Sequence, residues 1–496
     1  MSTNKSDHNW KTLDRDLGRI ASFESATLYV AKPMVGLGIA FLFIILAAIA
    51  SSIFFAGATT SWVVIAAAGV GAYMAVNIGA NDVANNMGPA VGANALTMGG
   101  AIAIAAVCET AGALLAGGDV VSTISKGIIN PESVAGHDVF IWAMMAALIS
   151  SALWVNLATF LGAPVSTTHS IVGGVMGAGI AAAGFSAVNW PTMGGIAASW
   201  IISPVLGGAI AALFLAFIKS QIIYKEDKIA AARKWVPVLI AIMSGVFATY
   251  LSMKGLKQVI DITGAHAVML GAAVGVVLYF IAVPFVKRQS EGLENRNRSL
   301  KVLFTLPLVL SAALLSFAHG ANDVANAVGP LAAIVHAEQF GEFAGKVEIP
   351  LWVMVIGALG LSFGLVLFGP KLIRMVGNQI TKLNPMRAYC VALSAAITVI
   401  IASWLGLPVS STHIAIGGIF GVGFYREYHE ERRARLSKAT RDEAERIAPE
   451  ERSRRKLVRR SHFLTIIAAW VITVPAAATI SMLIFWIISS YMGGAS

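Results

Sequence analysis

Charge is what this chain has least of: Asp, Glu, Lys and Arg together make up 12% of its 496 residues, against 57% hydrophobic residues. A soluble chain of that length needs charged surface for several domains, so the scarcity excludes that class. With a mean hydropathy of +0.75, the chain is read as a polytopic membrane protein. Cysteine is almost absent. Cys108 and Cys390 lie in apolar segments without metal or redox spacing, which excludes a disulfide framework and leaves two small buried hydrophobes. A cleavable leader is not expected either: the first apolar run, 34–57, follows a polar tail, is too long for a signal core and lacks a convincing cleavage site, so it is expected to stay as a membrane helix. Basic residues are rare inside the apolar runs. Of 36 Lys and Arg, 32 fall in the segments 1–33, 219–234, 287–301, 371–387 and 426–462. The net charge of +10 therefore reads as an orientation signal and not as a nucleic-acid footprint.

Thirteen apolar stretches, from 34–55 to 463–490, are long enough to cross or nearly cross a bilayer; 165–185 and 409–425 are short and glycine-rich, as arms of re-entrant hairpins would be. Placing the N-terminus in the cytoplasm puts the basic segments inside and the C-terminus outside, in a cell (inner) membrane. The expected fold is all-α and polytopic, with two inverted repeats, broken helices, re-entrant hairpins and about 12–13 membrane segments. Its divisions are a cytoplasmic tail 1–33, an additional helix 34–57, a first repeat 58–225, connecting helices and a cytoplasmic loop 226–301, a second repeat 302–425, a charged cytoplasmic insert 426–462 and a C-terminal helix 463–496. Within the insert, 430–447 is helix-compatible. Its basic cluster, Arg452, Arg454, Arg455, Lys456, Arg459 and Arg460, suits a solvated cytoplasmic helix or anionic lipid.

The repeats are visible because one heptapeptide, Gly-Ala-Asn-Asp-Val-Ala-Asn, occurs at 79–85 and again at 320–326, each time leading to a Gly-Pro step at Gly88-Pro89 and Gly329-Pro330. Seven crossings separate the copies, an odd number, so they enter the bilayer from opposite faces. Carboxylates and amides at that depth are costly unless they hold something. Asn81, Asp82 and Asn85, with Asn322, Asp323 and Asn326, offer hard oxygen ligands for Na⁺, or carboxylates that take a proton. Gly79 and the Gly-Pro steps are expected to break the helix and free carbonyls beside them. A second pair, Pro-Val-Ser-Thr-Thr-His at 164–169 and Pro-Val-Ser-Ser-Thr-His at 408–413, reads as two helix starts, with proline in the first turn and Ser166, Thr167, Thr168, Ser410, Ser411 and Thr412 as caps and hydroxyl donors. A helix N-terminus of this kind binds an anion without Lys or Arg. His169 and His413 fall in the first turns, where a satisfied structural role outweighs proton carriage. Glu109 is an acid in an apolar segment without a mate, favoured for a part in cation coupling.

Mechanism follows from charge. The four motifs contain no Lys or Arg, and two ionised aspartates would repel an anion, so the anion must arrive with cations. Obligatory symport is expected, by alternating access around a midplane site. Phosphate suits the site better than sulfate because it keeps a P–OH donor at neutral pH. An intramembrane hydrolase would show one asymmetric catalytic set, whereas every candidate group except Glu109 is duplicated, so an enzyme is not expected. A channel has no use for paired helix mouths, and a cation exchanger leaves them unexplained.

The four matched motifs resemble those of the inorganic phosphate transporter (PiT, or PHO4) family over residues 60–490. The resemblance implies phosphate symport, with Asn81, Ser166, Thr167, Thr168, Asn322, Ser410, Ser411 and Thr412 at phosphate, and with Asp82, Asn85, Asp323 and Asn326 at the coupling cation, Na⁺ at Asp82 and Asp323 being favoured over H⁺. Proton-coupled carriage of metal-phosphate or of sulfate is the family alternative. The resemblance also implies a homodimer and no cofactor beyond the transported ions; segments 34–55 and 426–462 inherit no role from it.

Overall fold

A computed structural model describes residues 34–55, 61–134, 136–161, 165–255, 262–341, 349–379, 383–436 and 460–492. Among them the chain is helical, apart from one isolated bridge between Ile129 and Val188. A chain in lipid must satisfy its backbone groups within itself, and helices do so segment by segment. The helices are α1 Met34–Phe54, α2 Trp62–Gly92, α3 Met98–Ala116, α4 Gly118–Ser122, α5 His137–Leu161, α6 Thr167–Ala183, α7 Trp190–Ile218, α8 Lys228–Lys254, α9 Gly264–Gln289, α10 Asn297–Leu303, α11 Thr305–Asp323, α12 Ala325–Phe340, α13 Leu351–Gln379, α14 Pro385–Trp404, α15 Ser411–Leu436 and α16 Arg460–Met492. Eleven of the described helical stretches are long and apolar enough to cross a membrane. The two expected stretches missing from that set, 165–185 and 409–425, correspond to α6 and α15, which begin deep inside the protein and are amply buried at their first turns.

The packing is crossed between the halves. Helix α13 lies along α2, α3 against α11, α7 against α15 and α16 against α6. Glycines make these approaches possible, and they come in matched pairs. A side chain at Gly79 would strike the carbonyl of Leu361, and one at Gly320 the carbonyl of Glu109. Gly112 sits on the Phe317 carbonyl and Gly364 on that of Val76; Gly177 sits on Ala478 and Gly421 on Gly208. Close backbone contact of this kind replaces hydrophobic attraction where the solvent is itself apolar. Helices α8 and α9 form a peripheral pair joined through Gly245, Gly271 and Gly275. Helix α1 packs on the α2/α13 pair, with Phe43 stacked on Phe363 at 4.7 Å between centroids.

Three local expectations change. Helix α2 runs unbroken through the first motif, with Pro89 in its last turn. At the second motif the chain is interrupted between α11 and α12, yet Val324 keeps helical angles (φ −55°, ψ −32°) and the joint only tightens, Ala327 N–H donating to Val324 O. A glycine in a helix costs about 1 kcal/mol relative to alanine, too little to open a buried helix with no water to take up its amides. Carbonyls are freed another way: Pro89 and Pro330 lack the N–H that would bond to Asn85 O and Asn326 O four residues earlier. Pro408 is not in the first turn of its helix but three residues before Ser411, and the caps are Ser166 and Ser410, whose hydroxyls accept from His169 N–H (3.1 Å) and His413 N–H (3.3 Å). Finally, α15 does not stop at 425 but continues to Leu436, into the charged insert. The rest of the 430–447 run and the basic cluster up to Arg459 lie outside the described residues, and Arg460 opens α16.

The glycine contacts give a direct test. Gly421→Ala places a methyl group against the Gly208 backbone and is expected to cost about 1–3 kcal/mol by overpacking. Gly194→Ala meets nothing within 4 Å and is expected to be neutral or slightly stabilising. Thermal unfolding of the two purified variants in detergent should rank them in that order.

Candidate functional site

Two hairpins, α5/α6 and α14/α15, point their tips at each other in the interior. Val165, Ser166, Val409 and Ser410 at the tips are all buried, and the tips touch where Thr168 Oγ1 donates to Val409 O at 3.0 Å. The His169 and His413 rings meet edge to face beside this contact, 4.4 Å between centroids. Trp200 of α7 lies against His169 at 3.8 Å and donates from Nε1 to Pro408 O.

Each motif helix holds one tip in place. Asn81 Nδ2 donates to Thr159 Oγ1 (2.9 Å) at the end of α5. Asn322 Nδ2 donates to Ser403 Oγ (3.0 Å) at the end of α14 and to Leu407 O, while its Oδ1 accepts from Val409 N–H. These two asparagines thus brace the hairpins from the motif helices.

The aspartates face inward. Thr167 Oγ1 donates to Asp82 Oδ2 (2.9 Å), and Ser411 Oγ donates to Asp323 Oδ2 (3.1 Å): each first-turn hydroxyl meets the carboxylate of its own half. The next residues cross over. Thr412 Oγ1 donates to Asp82 Oδ1 (3.1 Å) and accepts from Asn85 Nδ2 (2.8 Å), while Asn326 Nδ2 donates to Thr168 Oγ1 (3.2 Å) and Thr167 Oγ1 (3.3 Å). Both aspartates are about 1% exposed. One oxygen of each, with a ring nitrogen of His319, lies within 4.8 Å of the others. Two full charges that close repel by at least about 3 kcal/mol even at an effective dielectric of about 20.

His319 stands in that gap. Its Nε2 is 2.9 Å from Asp323 Oδ2 and 3.8 Å from Asp82 Oδ2, and its Nδ1 is 3.3 Å from Glu109 Oε1. Glu109 also accepts from Asn86 Nδ2 at 2.9 Å. Asp323 Oδ1 and Asn326 Oδ1 are buried without a hydrogen-bond partner. Apart from the His319 ring, this set is anionic and oxygen-rich, which fits a hard monovalent cation better than a transition metal.

Of the thirteen site residues expected from sequence, twelve are buried around the two tips and Asp82, Asp323 and Glu109, and Asn85 is half-buried beside Asp82. Sequence reasoning missed His319, Asn86, Thr159 and Ser403. His319 and Asn86 directly flank a heptapeptide copy, so their signal was a polar residue at the motif's edge. Thr159 and Ser403 match each other at the same distance before the two helix starts, a weaker sign.

A model of the phosphate transporter family matches residues 78–481. A candidate phosphate permease of Helicobacter pylori (strain J99) is 51% identical over 430 residues, covering 86% of this chain and 81% of that protein. Another, from Pyrococcus abyssi, is 36% identical over 422 residues, with 84% and 97% covered. A solved structure of the sodium-dependent phosphate transporter is similar with a TM-score of 0.78 and 34% identity, covering 86% of this chain and 99% of that one.

Removing a brace should loosen one tip. Asn322→Ala leaves Val409 N–H and Ser403 Oγ without their partner, and a buried polar group so stranded costs about 1–3 kcal/mol. Hydrogen exchange at residues 405–410 is expected to speed up, with 165–166 much less affected; equal acceleration at both tips would show that Asn322 is no local brace.

Proposed function

Since the chain belongs to the phosphate transporter family, and is an integral membrane carrier of phosphate and not an enzyme, we propose that it is a secondary active symporter that moves inorganic phosphate together with a coupling cation, Na⁺ in preference to H⁺. The observation that carries this is the buried pair Asp82 and Asp323, within 4.8 Å of each other and hydrogen-bonded to hydroxyls of both hairpin tips, with no Lys or Arg in any motif. Sodium is favoured by the oxygen-rich surroundings of the aspartates, in which the His319 imidazole is the one nitrogen ligand of the cluster, and by the similarity to a sodium-dependent transporter.

Coupling resides in shared hydroxyls. Thr167, Ser411 and Thr412 each have one proton to donate, and each spends it on an aspartate. A cation arriving at Asp82 or Asp323 neutralises that carboxylate and frees the hydroxyl to turn toward phosphate. The amides of the first turns of α6 and α15 add the positive ends of two helix dipoles. Without the cation the hydroxyls stay committed and the anion meets two negative charges. Asn85 and Asn326 hold the crossed hydroxyls in position, and Asn81, Asn322, Ser166 and Ser410 set the tips around phosphate.

Alternating access then consists of the two halves exchanging conformations around the tips, as opposed repeats permit. The distribution of basic residues favours an inner-membrane setting with the N-terminus in the cytoplasm.

Radiolabelled phosphate uptake into proteoliposomes tests this, with Na⁺ and pH gradients imposed separately. Uptake is expected to follow the Na⁺ gradient; indifference to both gradients would sink symport. Asp82→Asn or Asp323→Asn is expected to reduce gradient-driven uptake by roughly 10- to 100-fold, the equivalent of about 1.5–3 kcal/mol for a contact to a charged group, while the protein still inserts. Full coupling in either variant would remove that carboxylate from the mechanism. Replacing Ser410 and Ser411 by alanine should weaken phosphate half-saturation more than Na⁺ half-saturation, and an equal loss of both would count against the division of roles.

A further inference from the structure

Between α14 and α15 the chain turns at Gly406, whose φ is +66°, and the carbonyls of Gly406, Leu407, Pro408 and Val409 stand outside both helices. Each is taken by a side chain. Thr123 Oγ1 donates to Gly406 O (2.7 Å), Asn322 Nδ2 to Leu407 O (3.2 Å), Trp200 Nε1 to Pro408 O (3.1 Å) and Thr168 Oγ1 to Val409 O (3.0 Å). These donors stand on separate elements, and only Asn322 belongs to the same half as the turn. The amides are bonded as well: Gly406 and Leu407 donate back to Ser403 O and Ala402 O, and Val409 donates to Asn322 Oδ1. Buried backbone groups must find partners. Holding successive carbonyls from separate directions also leaves the turn little freedom to shift.

Of the donors, Thr123 belongs to no motif, and its place comes from a divergence between the halves. Gly79 matches Gly320 and Gly112 matches Gly364, and the register runs on to Gly117 and Gly369, which face the matched residues Val324 and Val83. In the second half α13 continues through Gly369 and Pro370 to Gln379. In the first, α3 stops at Ala116, and the chain restarts as α4 and a π-helical turn, Thr123–Gly127. Carried forward, the register matches Asp119 with Lys371 and Thr123 with Met375, which has no proton to donate. Asp119 pairs with Lys254, the last residue of α8, while Thr123 Oγ1 lies 3.4 Å from Asp119 O and makes its short bond to Gly406. The peripheral α8/α9 pair is thereby tied to the second tip through an ion pair, one turn of helix and a hydroxyl.

We propose that Thr123 is a positioning residue for phosphate, acting at one remove from the anion. Through Gly406 it fixes the turn from which Ser410, Ser411 and Thr412 directly follow, and so sets where those hydroxyls stand relative to the first tip. Trp200 acts with it: the ring lies against His169 of the first tip while Nε1 holds Pro408 of the second, which fixes the separation between the two. Small displacements of positioning groups are enough to degrade a site. The inference rests on the reading that phosphate sits at the tip hydroxyls.

Equilibrium binding of ³²P-phosphate to the purified full-length protein in detergent, at one fixed Na⁺ concentration, tests it together with phosphate uptake into proteoliposomes. Thr123→Val keeps the shape and loses the hydroxyl; it is expected to weaken phosphate binding and raise the half-saturation of uptake by roughly 3- to 10-fold, as for one lost hydrogen bond, with the maximal rate per folded transporter little changed. Thr123→Ser is expected to restore wild-type values, and Trp200→Phe to shift them in the same direction as Thr123→Val. Wild-type affinity in Thr123→Val would overturn the role. So would a fall in maximal rate alone, the result of a merely structural hydroxyl, or a Thr123→Ser protein that does not recover affinity. Ser410→Ala separates the two readings: if it weakens binding and Thr123→Val does not, positioning fails alone, whereas wild-type affinity in both removes phosphate from the second tip.

Discussion

Two carboxylates are buried within 4.8 Å of each other with no permanent cation from Lys or Arg among the motifs that hold them, and most of the architecture answers to that. Asp82 and Asp323 are kept apart by an imidazole, solvated by hydroxyls from both hairpin tips and fixed by asparagines that cross from one half to the other. The protein supplies oriented dipoles, which stabilise the buried charges but leave the neighbourhood short of positive charge. On the symport reading, that shortage is what makes a cation and an anion enter together.

The hydroxyl and amide contacts are arranged so that neither half has a complete site alone. Thr412 serves Asp82, and Asn326 serves Thr167 and Thr168. The helix packing is exchanged in the same sense, α3 with α11 and α13 with α2. On the symport reading, motion of one half would reach the candidate ligands of the other without a dedicated relay, because those residues are themselves the joint.

Much of this was legible in the residues. The heptapeptide copies named both aspartates and all four asparagines around them, and the two Ser/Thr-rich helix starts named the tips, because buried polar groups repeated in apolar sequence have few uses. Where the reading failed, it failed on local backbone energetics. Gly79 was expected to break α2, but one glycine is a small perturbation in a helix with no solvent to compete for its amides. Pro408 was expected inside α15, whereas Ser410 is the cap. His319 escaped notice because duplication was the signal and His319 has none, its counterpart being Ile78. Pairing between halves, such as Asn85 with Thr412, depends on chain crossing that spacing does not encode.

Thr110 Oγ1 and Ser362 Oγ lie 2.6 Å apart, and by the register of the glycine contacts they are counterparts of one another. His169 and His413 are counterparts as well, and they too are in contact. For halves related by a pseudo-dyad, a residue that touches its own counterpart lies beside that axis, and two such places would define it. Such a line would work as a spindle: were the halves to trade conformations, every other contact between them would be remade in its reciprocal form, while the pairs on the spindle would map onto themselves and need not come apart.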